Sequence, residues 1–222
     1  MLRSLRAMAD PARLEGMARY GIDTRRALGV TVTELRAFAR TLGRDHELAA
    51  ALWDSGVHEA RILATIVDDP ALVSRRQMER WIRDVASWDL GDQACLNLFE
   101  RTPHAFELAE AWSGREEEFV KRAGFALMAV AAVHRKDEPD QRFAAFLPLI
   151  LAHATDERTH VKKAVNWALR QIGKRSPALH RRAVATARQI RALDSRAARW
   201  IAADALRELE SPAVLERFDR AS

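Results

Sequence analysis

The chain holds a single cysteine, Cys95, so no internal disulfide is possible and nothing points to an oxidising compartment. Cys95 falls within an apolar helical pattern and reads as a small core residue. No run of about 18 apolar residues occurs, which excludes a membrane-spanning helix, and the opening MLRSLRAMADPARLEG lacks the apolar stretch of a secretory signal. The expected location is cytoplasmic. Strict alternation of apolar and polar residues is scarce, which argues against a sheet. No Gly-rich phosphate loop and no serine nucleophile elbow appear, and His58-Glu59 has no second histidine four residues on. His153 and His160 stand seven apart with Asp156 and Glu157 between them, a spacing that matches no standard zinc site. No metal or cofactor is therefore expected.

What is present is helical spacing, almost everywhere. With 222 residues and 48% hydrophobic content, the chain has material for a sizeable core, and one domain over 1–222 or a short repeat array would fit. Thr31 and Glu34 form a capping box before Leu35, Phe38, Ala39 and Leu42, and Ser74 with Gln77 caps a helix reaching about Val85. Ser113 and Glu116 predict another capping box, opening a helix over 116–133. Ser176-Pro177 and Ser211-Pro212 pair a serine N-cap with proline at the first helical position. The helices group into about six antiparallel pairs, with second members near 33–42, 58–67, 89–99, 116–133, 157–172 and 195–209. The last three starts recur at roughly 40 residues, the period of HEAT or armadillo arrays. The fold class is all-α, a right-handed α-solenoid whose second helices line one concave, basic face.

The formal net charge is +5, and nearly all of the cationic side chains are arginine. Such a balance suits a phosphate backbone without requiring one. The stretch 161–174, VKKAVNWALRQIGK, sharpens this. Val161, Ala164, Val165, Ala168, Leu169 and Ile172 make one core stripe at about 100° per residue, while Trp167 lies away from it among Lys163, Arg170 and Lys174, with His160 beside them. One reading is a tryptophan packed on a neighbouring helix with a solvated basic face. The other is an aromatic platform on a surface for a polyanion. Trp200 projects opposite the Ala198, Ile201, Ala205, Leu209 stripe, near Arg196 and Arg207. Trp81 shares a stripe with Met78, Ile82 and Val85 and reads as core. Arg122 opens the fourth second helix. Trp88 and Asp92 stand at the start of the third, four residues apart and hence on one helical face. Either Asp89 or Asp92 caps that helix while Trp88 fills the joint, or a carboxylate has been placed on a cationic surface for a task such as activating water or stabilising a developing cation.

Four ordered segments carry a resemblance: Met17-Ala18-Arg19-Tyr20, Trp88-Asp89-Leu90-Gly91-Asp92, Phe119 to Phe125 (FVKRAGF) and Val161 to Arg170 (VKKAVNWALR). Together they resemble the bacterial DNA alkylation repair family of AlkD type, HEAT-repeat DNA glycosylases, over about Ala18 to Leu209. The resemblance implies cleavage of the N-glycosidic bond of cationic N3- or N7-alkylated purines in double-stranded DNA, leaving an abasic site. It implies that Asp92 is the catalytic carboxylate and that Trp88 and Trp167 contact the lesion's deoxyribose. Tyr20 would lie near the site and Arg122 at the DNA. Lys163, Arg170 and Lys174 would hold phosphates, and Trp200 would extend the DNA-binding surface. The family leaves the modified base in the duplex, where the common strategy extrudes it.

The sequence departs from that family where Thr159-His160 stands in place of a common aromatic, which makes His160 a candidate DNA contact. It also begins close to Tyr20, leaving little room for an extra N-terminal helix. The expectation is a monomeric, metal-independent, monofunctional alkylpurine glycosylase with alkylated duplex DNA as partner. The alternatives are a non-catalytic HEAT-repeat protein that binds bent or damaged DNA and an α-solenoid scaffold for other proteins.

Overall fold

The computed structural model describes residues 1–219. It is all-helical, with no β-strand among the described residues. Its contacts divide it into two compact units, Met1–Ala105 and Phe106–Ser222. No helix among the described residues is long and apolar enough to cross a membrane.

The first unit contains α1 (Leu2–Ala7), a 3-10 turn (Pro11–Arg13), α2 (Leu14–Arg19), α3 (Val32–Leu42), α4 (His46–Asp54), α5 (His58–Val67), α6 (Arg75–Arg83), α7 (Trp88–Asn97) and a second 3-10 turn (Phe99–Arg101). Helix α1 is a short one of six residues in the stretch where little room for an extra N-terminal helix was expected. The capping box of Thr31 and Glu34 forms as the sequence predicts, and the Ser74 hydroxyl accepts from the Gln77 amide at 3.2 Å. Helix α5 is the central element. Helices α3, α4 and α7 all pack on it, and eight of its residues are buried. The indoles of Trp53 and Trp81 stack beside it, 4.2 Å apart and 3° from parallel, and both are fully buried. Trp81 is thus core, as its stripe predicts.

A buried carboxylate ties the loop after α2 to this helix. Glu59 on α5 accepts from the backbone amides of Leu28 at 2.8 Å and Gly29 at 2.7 Å. Hydrogen bonds to a charged acceptor contribute about 1.5–3 kcal/mol each, enough to fix the path of an otherwise irregular segment. Gly29 is required there. Its φ is +79°, and an added Cβ would lie 2.1 Å from the Asp10 carbonyl oxygen.

The second unit contains α8 (Ala105–Ser113), α9 (Glu118–His134), α10 (Asp140–Ala144), α11 (Phe146–Ala152), α12 (Thr159–Gly173), α13 (Pro177–Arg191), α14 (Arg196–Leu209) and α15 (Pro212–Asp219). Helix α9 is buried on nearly all sides from Val120 to Ala132, and α12 packs along it. Gly124 permits the close approach of α8, because a Cβ there would meet the Ser113 amide nitrogen at 2.5 Å. Two boundaries differ from expectation. The predicted Ser113–Glu116 capping box does not form: Ser113 still belongs to α8, its hydroxyl donates to the Glu110 carbonyl at 2.8 Å, and α9 starts at Glu118. The apolar spacing over 140–154 predicts one helix, whereas the structure has two, broken at Ala145. Pro148 explains the break, since its ring clashes with the carbonyl four residues earlier, that of Ala144, and it has no amide to donate.

Candidate nucleic-acid interface

In the first unit, Tyr20 ends α2 and is 75% exposed. Its carbonyl oxygen accepts the indole Nε1–H of Trp88 at 2.8 Å, so two of the sequence-predicted site residues are joined directly. Trp88 is the first residue of α7 and Asp92 follows one turn later on the same face; both are half-buried. Neither Asp89 nor Asp92 caps α7, whose N-cap residue is Ser87. Asp89 instead lies 2.9 Å from Nε2 of His58 and accepts the Ser87 hydroxyl at 2.8 Å. His58 and Asp89 are 7% and 15% exposed, so this pair clamps the first turn of α7 onto the start of α5 from inside the unit. Burial pushes the His58 imidazole down, but the hydrogen bond and charge of Asp89 outweigh it and the net shift is upward. Burial likewise pushes Asp89 up, and its bond to His58 reverses that, leaving the carboxyl below its ordinary value.

In the second unit, the core stripe of α12 is buried as predicted, and Trp167 stands off it, half-buried. Lys163 is exposed. Arg170 and Lys174 do not present a free cationic face, because both pair with the Glu208 carboxylate of α14. Arg170 also lies 3.7 Å from Asp204, which accepts from Asn166 at 2.6 Å and pairs with Arg207. Burial raises Glu208, and the bond from Lys174 with the charges of both cations lowers it further than burial raises it. Arg122 is 93% buried by its 7% exposure, and its Nη1 donates to the His160 carbonyl at 2.7 Å, so it braces the start of α12. The His160 ring packs against Phe119, centroids 5.6 Å apart. Trp200 is 39% exposed, with the Lys162 ammonium 5.6 Å from its ring centroid. Among the described residues, no group of three or more His, Cys, Asp or Glu side chains is arranged to hold a metal ion.

A family model described as "DNA alkylation repair enzyme" matches residues 1–209. The chain belongs to that family. A solved structure with the same fold is described as "a new family of proteins related to the HEAT-like repeat DNA glycosylases with affinity for branched DNA structures". It is 19% identical, the match covers 93% of each chain, and the TM-score is 0.77. No curated protein matches the chain. The matched range includes Tyr20, Trp88 and Trp167.

Sequence reasoning missed His58 and Glu208. Only the absence of a second histidine was read at His58-Glu59, because its partner is 31 residues away on another helix. Glu208 had a local signal: it follows Asp204 by one turn, so two carboxylates share a face of the otherwise basic α14.

Proposed function

We propose that the chain is a monofunctional DNA glycosylase that hydrolyses the N-glycosidic bond of cationic N3- or N7-alkylated purines in duplex DNA, leaving an abasic site. The reading rests on one observation above others: in a member of the alkylation repair family, an indole and a carboxylate share one face of α7, and the indole is held at Tyr20 by a 2.8 Å hydrogen bond. Alkylation makes the purine a cation, so it leaves as a neutral base that takes the bonding electron pair. Positive charge then develops on the deoxyribose. The Trp88 ring face and the Asp92 carboxylate stabilise that charge electrostatically. Water adds to C1′ and gives its proton to Asp92. Trp167, in the second unit, supplies a further aromatic contact to the DNA, and Lys163 an exposed cation for phosphate.

The test is release of methylated purine from alkylated duplex. Asp92→Asn should slow release by about 10²-fold or more, the usual range for loss of a positioned acid or base, while leaving DNA affinity in place. A wild-type protein that releases no base sinks the reading. A second reading is favoured by the affinity for branched DNA described for the structural relative: a DNA-binding protein without excision. Salt-sensitive binding to a four-way junction with no base release selects it.

A further inference from the structure

The first unit also encloses a cavity of about 370 Å³ that the proposed chemistry does not use. Arg25, Arg26, Arg61 and His58 line it, and one lining carboxylate, Asp23, faces them. The starts of α5 and α7 form part of the wall, and neither ten-residue helix has a side-chain cap. Their first amides therefore add partial positive charge, although the amide of His58 already donates to the Arg26 carbonyl at 2.9 Å.

The carboxylates nearby are committed. Asp23 binds the Arg25 guanidinium through contacts of 2.9 and 2.5 Å, which holds its carboxyl down at about 2. Asp89 is taken by His58. Glu59 faces the amides of Leu28 and Gly29. Arg61 donates to the carbonyls of Trp53 and Asp84 at 3.2 and 3.0 Å and lies 3.8 Å from the Asp84 carboxylate.

Arg26 differs. It donates to the Ser55 carbonyl at 3.1 Å, a neutral acceptor, and among the described residues no carboxylate lies within ion-pair distance of it, Asp23 on the same wall being held by Arg25. Its guanidinium rests in a seat that only glycine leaves open, since a Cβ on Gly56 would lie 2.4 Å from Nη1, and Gly56 has a φ of +67°. Arg26 is exposed and a guanidinium cannot shed its proton, so this cation, held in its seat and in no ion pair of its own, stands available on the cavity wall to an external anion.

We propose that this cavity is a phosphate site, taking one phosphoryl group of a nucleic acid strand, with Arg26 as its principal ligand and Arg61 and the starts of α5 and α7 as supporting donors. The volume, at the lower end for ligand pockets, leaves space for the phosphate with part of its attached sugar. The inference rests on the reading that the chain binds DNA but is independent of base excision.

The experiment uses the full chain and three probes: an unmodified duplex, orthophosphate and a nucleoside monophosphate. Duplex affinity is followed against salt, and the His58 imidazole resonance is followed by NMR on addition of each probe. Arg26→Gln should weaken duplex binding about three- to tenfold and flatten the log K against log salt slope by about 0.9, the contribution of one phosphate contact. Arg26→Lys should restore most of the slope. In the wild type, a His58 shift with duplex alone assigns the site to a strand phosphate, and a shift with the small probes as well assigns it to phosphate generally; both support the site. If the wild type binds no DNA but orthophosphate shifts His58, the phosphate site stands and the DNA reading falls. If no probe shifts His58, or if Arg26→Gln leaves the slope of a DNA-binding protein unchanged, the phosphate site is overturned. The wild-type titration requires no variant to fold.

Discussion

The indole N–H of Trp88 donates to the backbone carbonyl of Tyr20 at 2.8 Å, joining the first residue of α7 to the end of α2 across 68 positions of sequence. The bond fixes the ring by its polar tip. Tyr20 is the single tyrosine of the chain, and the contact uses its backbone carbonyl.

Trp88→Phe keeps an aromatic face and removes this donor. A neutral hydrogen bond contributes about 0.5–1.5 kcal/mol net, so urea unfolding should show a loss of about 1 kcal/mol. Base release should fall by more than stability does, because the ring loses its fixed orientation. A variant that excises at the wild-type rate would detach Trp88 from the reaction.

The His58–Asp89 pair gives stability a defined pH window. His58 is raised in the folded protein, so its contribution is complete below its ordinary value of about 6.5 and is lost as pH rises through the raised one. Asp89 is lowered, so its contribution is complete above about 3.9 and is lost as pH falls through the lowered value. The pair therefore stabilises most between about pH 4 and 6.5. His58→Ala should cost about 3–5 kcal/mol in that window, as expected when a buried carboxylate loses its partner, and less at alkaline pH. Chemical denaturation of both proteins across the pH range measures this. A difference that does not shrink above neutrality would show that His58 acts through packing alone.

Glu208 neutralises Arg170 and Lys174, both of which the sequence offers to phosphate. Glu208→Gln should return positive charge to that face, raising duplex affinity about three- to tenfold at low salt and steepening the salt slope by about one phosphate contact. Fluorescence anisotropy at several salt concentrations reads both. Unchanged affinity and slope would mean that DNA does not reach Arg170 and Lys174.

Much of the fold was legible because helix formation is local. The capping box at Thr31-Glu34, the Ser-Pro start at 176–177 and the apolar stripes of α6, α12 and α14 are written in residues a few positions apart. The differences arose where a competing interaction within a few residues decided. Ser113 bonded back within α8, and Pro148 broke a helix whose apolar pattern runs on without interruption.

The sequence by itself determined the all-helical class, the positions of the second helices, and the placement of Trp88 and Asp92 on one face, since periodicity and spacing fix which side chains share a helix surface. Tertiary structure alone decided which charges are available. The arginine count was plain from the start, but whether Arg122 is buried under His160, whether Glu208 occupies Arg170 and Lys174, and whether Gly56 leaves a seat for Arg26 depend on partners about 30 to 40 residues away. A cation's worth to a ligand is set by the carboxylate nearest to it in space, and packing, not local pattern, chooses that neighbour.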